Sequence, residues 1–241
     1  LPISIITDKF SKIDQSLYDN VIAKEVGSDN FRYDVLTNNR VKWRNTDRSE
    51  AYALTPYDQT ILIDSDYLLQ SDNLKILFEQ NTDFLCHHTM KEATGTGQFQ
   101  NDQYLGKVKI PFCWATVLYW RKSEYAESIF AMWKHVQRNY EYYTGLYNLT
   151  RSSFRNDFAL SIAMHMINGQ VLHNKFIPWS LINIPITSTV VGISNNQLVY
   201  KYDAYNPNIG ETKVNYHLLP NLNLHFFNKA NYEEVANELT Q

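Results

Sequence analysis

The chain has 241 residues, 44% hydrophobic and 20% charged, enough to bury a sizeable core without disulfide or metal staples, so disorder and membrane spanning are poor readings. Lys plus Arg number 22 against 25 Asp plus Glu, a formal net charge of −3 with no basic run, which removes sequence-independent nucleic-acid binding. Two cysteines, Cys86 and Cys113, make no framework, the 8 glycines form neither GxGxxG nor GxxxxGK, and no apolar run nears the roughly 18 residues of a spanning helix. The start at Leu1-Pro2-Ile3 lacks an initiator Met and a signal-like charged segment, as expected of a processed or truncated chain, and the setting it suggests is cytoplasmic.

Residues 3–8 are a short β-rich run ending in polar residues, the pattern of a buried strand. Residues 11–25 read as helix or loop, and 33–36 as a second strand. From Thr46 the pattern turns helical: Asp47 is the N-cap, Glu50 stands three residues on, Ala51, Leu54 and Tyr57 space an apolar face, and Pro56 closes it. Residues 60–63 form the most strand-like run and deliver Asp64-Ser65-Asp66 at their carboxyl end, where ligands collect in open α/β sheets. A short helix is predicted at 71–80, a strand at 84–86, an apolar stretch at 112–120, and a long amphipathic helix over 124–143. Residues 157–167 are helical, with Asp157, Ser161 and His165 on one face. Residues 171–227 mix short strands with Pro and Asn turns, and a terminal helix covers 232–239. The expected architecture is a single α/β domain over 1–241, with a mostly parallel central sheet flanked by helices and an irregular C-terminal half.

Two aspartates one residue apart reach the same side if the strand breaks into a turn there, and as neighbouring anions they repel unless a cation sits between them. Oxygen ligation of this kind suits Mg²⁺ or Mn²⁺, which also take phosphate oxygens. A solvated strand-to-loop turn explains Asp-x-Asp equally well by itself.

The longer segment Tyr52-Ala53-Leu54-Thr55-Pro56-Tyr57-Asp58-Gln59-Thr60-Ile61-Leu62-Ile63-Asp64-Ser65-Asp66, continued by Leu68, Leu69, Asp72, Leu74 and Leu77-Phe78-Glu79, resembles the metal-binding signature of GT-A glycosyltransferases, closest to the glycogenin-like (family eight) group. The resemblance implies a Rossmann-like fold, a cation held directly by Asp66, and contacts from Asp64 to metal or donor sugar. It implies that Arg48 faces the donor phosphate or sugar, where a salt-bridged surface Arg is the plain alternative. His225-Phe226-Phe227-Asn228-Lys229 resembles the segment that closes the family's metal site with a His and clamps the diphosphate with a Lys. By that likeness His225 is the third metal ligand, which tilts the choice toward Mn²⁺, and Lys229 binds donor, although the family's Gly and Lys-Pro-Trp are missing. Asn156-Asp157-Phe158-Ala159-Leu160-Ser161 is similar to the family's Asp-Gln helix start, implying Asp157 as the catalytic acidic group, while a helix-start acid is also favoured by the macrodipole. Trp114-Ala115-Thr116 stands in place of the family's Asn-Ser-Gly, so sugar contacts there do not carry over. Residues 2–8 fit the fold's second strand, which leaves its first nucleotide-binding strand missing or shortened.

The function implied is metal-dependent transfer of a sugar from a nucleotide-diphosphate donor, a UDP-sugar first among them, to an unidentified acceptor, with retention. The rivals are a haloacid-dehalogenase-like phosphohydrolase, which also places Asp-x-Asp after a strand, and an inactive GT-A-like binding module. Cys86-His87-His88, His165 and the tyrosines 140, 142, 143 and 147 read as packing, and Asn148-Leu149-Thr150 as a sequon by pattern only.

Overall fold

The computed structural model describes residues 1–8, 13–24, 31–34, 39–42, 47–93, 103–149, 154–173, 175–194, 197–206 and 210–239. Strand β1 (Ser4–Asp8) pairs in parallel with β2 (Asn20–Lys24), so part of the segment expected as helix or loop is a strand. β3 (Phe31–Asp34) and β4 (Asn39–Lys42) form an antiparallel pair that covers the first half of the strand expected at 33–36; Val35 and Leu36 lie outside the described residues. A 3-10 turn over Asp47–Glu50 runs into the short helix α1 (Ala51–Leu54), which ends at Thr55 because the residue before Pro56 is pushed into extended backbone.

β5 (Gln59–Ile63) then leads through a turn to β6 (Tyr67–Leu68), a 3-10 helix over Asn73–Glu79, β7 (Phe84–His87), β8 (Met90–Glu92), the small antiparallel pair β9 (Tyr104–Leu105) and β10 (Ile110–Pro111), and β11 (Trp114–Arg121). β11 lies between β5 and β7 and runs antiparallel to both. Every side chain from Trp114 to Trp120 is buried.

Helix α2 (Glu124–Arg138) starts on Ser123, whose Oγ accepts from the Ala126 amide, and buries Ala126, Ile129, Phe130, Trp133 and Val136 at helical spacing. The helix expected to reach residue 143 breaks at Asn139, whose side chain donates to the His135 carbonyl and ends the run; α3 (Tyr140–Leu146) follows as a separate helix. Phe130 meets Trp120 at 4.9 Å between ring centroids and Phe84 at 6.0 Å, which fastens α2 to the β5–β11–β7 sheet. α4 (Asn156–Ile167) packs against α2 with Ala159, Leu160, Ile162, Ala163 and Met164 all buried.

The C-terminal third is more regular than its Pro and Asn content suggests. β12 (Leu181–Ile184) pairs in parallel with β8; a long antiparallel meander follows, of β13 (Thr189–Ser194), β14 (Gln197–Asn206) and β15 (Glu211–Leu219). β16 (Leu224–Phe226) returns beside β12 in parallel and takes β6 antiparallel on its other side, and α5 (Lys229–Leu239) closes the described chain. The fold is mixed α/β. In place of one mostly parallel central sheet, the described strands form six small sheets of mixed direction. The difference arises because strand direction depends on which distant segment pairs with which, and β11 enters between β5 and β7 reversed.

The sheet β6–β16–β12–β8 separates two apolar clusters. Tyr67, Met90 and Leu181 belong to the larger one, with the β11 and α2 side chains, while Leu224, Phe226 and Ile184 belong to the smaller one under the meander and α5. Strand alternation therefore sends His225 and Asn183 to the side of the larger cluster, where β5 ends. No helix among the described residues is long and apolar enough to cross a membrane.

Candidate functional site

The turn after β5 is anchored at both ends by strands from distant parts of the chain. The Asp64 amide donates to the Thr116 carbonyl at 3.0 Å, the Tyr67 amide closes the turn on the Asp64 carbonyl at 3.1 Å, and the Phe226 amide donates to the Asp66 carbonyl at 3.0 Å. One aspartate is thereby fixed to β11 and the other to β16, and both carboxylates face one centre. His225, on β16, brings its Nε2 to 3.6 Å from Asp66 Oδ1 and 4.0 Å from Asp64 Oδ2. One ligand atom from each of Asp64, Asp66 and His225 lies within 4.8 Å of the other two, the only such group of three acidic, His or Cys side chains among the described residues.

Two cations balance the carboxylates. Arg48, from the 3-10 turn before α1, is buried and bonds both the Asp64 carboxylate and the Ala115 carbonyl. Burial pushes its guanidinium down to about 10, with the Asp157 and Asp66 charges opposing, so it stays cationic at neutral pH. Lys229, the first residue of α5, places Nζ 2.6 Å from Asp66 Oδ2. Burial alone would raise the Asp66 carboxyl; His225 and Lys229 outweigh it and hold the group well below the usual carboxylate range.

Asp157, in the first turn of α4, lies close enough for its charge to act on Arg48. Its Oδ1 accepts from the Ala115 amide at 2.9 Å and its Oδ2 from Arg155 at 3.2 Å. Ser161, one turn on, accepts from the Cys113 amide at 2.8 Å and donates to the Asp157 carbonyl. The backbone of Trp114-Ala115-Thr116 is therefore a hub: Ala115 N–H holds Asp157, Ala115 C=O holds Arg48, and Thr116 C=O holds Asp64. These contacts use backbone atoms alone and ask nothing of the side chains there.

Of the six residues singled out from the sequence, Arg48, Asp64, Asp66, His225 and Lys229 are joined by direct contacts, and Asp157 adjoins them across the Ala115 backbone. Sequence reasoning missed Arg155, whose only signal is its spacing of two before Asp157, and the backbone hub, which has none. The readings of packing hold for His88, whose Nδ1 bonds the Phe112 carbonyl, and for Tyr140, Tyr143 and Tyr147, which are buried. His87 departs from a satisfied imidazole: Nδ1 bonds the Trp179 carbonyl but the buried Nε2 has no partner, and burial pushes the ring down to about 4. Both cysteines are free and buried, and Thr150 of the sequon lies outside the described residues.

Two carboxylates and one imidazole with room between them fit a divalent cation of Mn²⁺ type, since the nitrogen ligand is less natural for Mg²⁺. The buried Nδ1 of His225 has no hydrogen-bond partner, whereas a ligating imidazole ordinarily donates its second N–H to an acceptor. No protein-family model matches the chain, nor does a curated protein or a solved structure.

Proposed function

We propose that the chain is a metal-dependent glycosyltransferase of the GT-A type, moving a sugar from a nucleotide-diphosphate donor such as a UDP-sugar to an acceptor with retention of configuration. The observation that carries this reading is the convergence of Asp64, Asp66 and His225 with Arg48 and Lys229 seated on the two carboxylates. A bound Mn²⁺ would supply charge stabilisation for the departing nucleoside diphosphate.

The chain's own residues do the rest. Asp64, Asp66 and His225 would hold the cation, and Arg48 and Lys229, now paired with the two carboxylates, would receive phosphate oxygens, for which guanidinium and ammonium are both suited. Buried Arg48 is fixed by the Ala115 carbonyl, so it meets the diphosphate already oriented, whereas exposed Lys229 swings in from the mouth of the site. Asp157 keeps a carboxylate beside the reacting sugar, oriented by Ala115 N–H and Arg155, where it opposes the positive charge that builds at the anomeric carbon. The GT-A fold belongs to the same proposal, supported by the delivery of the carboxylates at the carboxyl end of β5.

The test is release of UDP from UDP-sugars with Mn²⁺, in the wild type and in Asp66→Asn. Turnover that is lost in the variant while the fold persists supports the mechanism; undiminished turnover removes it. Hydrolysis of phosphomonoesters without turnover of nucleotide sugars would point to the phosphohydrolase instead.

A further inference from the structure

Beside the metal centre lies a buried amide that none of the roles above uses. Asn183 on β12 is fully buried, yet neither Oδ1 nor Nδ2 has a hydrogen-bond partner. A buried polar group left unpaired at both ends is rare and costly, and points to a missing partner. Its register partner across the parallel β12–β16 pairing is His225, and partners in adjacent strands stand about 4.8 Å apart with side chains on the same face. The Nδ1 of His225 is buried and unpartnered as well.

We propose that Asn183 is the positioning residue for His225, its Oδ1 accepting the Nδ1–H proton so that Nε2 presents a lone pair to the space between Asp64 and Asp66. The inference rests on the reading of His225 as a metal ligand. An imidazole ligates through Nε2 only when its proton sits on Nδ1, and a buried N–H needs an acceptor. The ring of Phe227, edge-on at 5.1 Å between centroids, offers none. The terminal amide of Asn183 turns about a soft torsion, which is the motion the contact calls for. On its other flank the register partner of Asn183 is Glu92, a buried carboxylate that accepts from the Tyr200 hydroxyl at 3.1 Å. A carboxylate on that side favours the NH₂ end there and leaves Oδ1 toward His225. The reverse orientation would place the proton on Nε2, make His225 a donor to Asp66, and leave no lone pair for a cation.

The tautomer of His225 is therefore the readout. The whole chain, metal-free and labelled with ¹⁵N-histidine, is recorded in alkaline buffer by long-range proton–nitrogen correlation, with His225→Gln to assign the resonance. The expected result is a neutral ring carrying its proton on Nδ1, a shift toward the Nε2–H form in Asn183→Leu, and Mn²⁺ affinity at least about tenfold weaker in that variant. A wild-type ring protonated on Nε2 overturns the proposal, and this arm needs no variant to fold. An Asn183→Leu protein with unchanged tautomer and Mn²⁺ affinity overturns it too. Adding Mn²⁺ to the wild type separates the underlying reading: an Nδ1–H ring whose signals Mn²⁺ fails to broaden sinks the metal assignment and leaves the Asn183–His225 contact standing.

Discussion

Lys229 and Asp66 form the contact whose removal tells most about how the site loads. The ammonium sits 2.6 Å from Oδ2 of a carboxylate that is only 9% exposed, while the lysine side chain is 62% exposed. On the proposed function a divalent metal would displace that ammonium, so Lys229→Ala would remove a competitor. Because the lysine end is largely in water, the pair is worth about 0.5–1 kcal/mol, and the variant should bind Mn²⁺ alone about two- to fivefold more tightly. The donor arm moves the other way: the freed ammonium is the group that meets the diphosphate, and losing a charged hydrogen bond of about 1.5–3 kcal/mol should weaken UDP binding in saturating Mn²⁺ about tenfold or more. Free Mn²⁺ followed by electron paramagnetic resonance reads the first effect, and competition titration with UDP reads the second. A variant that binds Mn²⁺ more weakly than the wild type, or that keeps full UDP affinity, refutes the exchange of counter-ions.

Other consequences concern stability and rate. His87 is buried and its ring is pushed by desolvation down to about 4, below the ordinary value, so the unfolded chain takes up a proton that the fold refuses. Its stabilising contribution is complete above about pH 6.5 and is lost as pH falls from there to about 4, a loss of about 3 kcal/mol. His87→Leu should flatten that part of the curve of melting temperature against pH, and an unchanged slope would locate the acid sensitivity elsewhere. Asp157→Asn should keep the Ala115 contact and the fold yet slow sugar transfer about a hundredfold, read as kcat with Mn²⁺ saturating; a rate near wild type would reduce Asp157 to a helix-start brace. Ser123→Ala removes the N-cap of α2 and should cost about 1 kcal/mol in chemical denaturation, with no loss showing that other contacts set the start of that helix.

What could be read in the sequence is what is encoded locally. Residues 60–63 are apolar and β-rich, and they become β5 with Asp64 and Asp66 at its end; the spacing of Ile129, Phe130, Trp133 and Val136 marks the buried face of α2. Elements that rest on partners far along the chain were hidden. β2 is a strand because β1 pairs with it, the direction of β11 is decided by where it inserts, and the long β14–β15 ribbon is held by cross-strand bonds over residues with little apolar alternation. The break at Asn139 depends on one side-chain bond to His135. At the site, the charged residues carried a signal because their types suit metal and phosphate, and the family resemblance drew attention to them. Arg155, the Ala115 backbone and Asn183 carried none, since their roles come from position in the fold: an amide in a strand looks ordinary until its register partner turns out to be His225.

On the proposed function, Asp64, Asp66 and His225 hold a cation against a nucleoside diphosphate. Calorimetric titration of the whole chain with UDP, in Mn²⁺ and in chelator, asks this directly. Saturable heat that requires Mn²⁺ and vanishes in Asp66→Asn is the predicted outcome; UDP binding indifferent to Mn²⁺ and to that substitution, or none under either condition, contradicts the account.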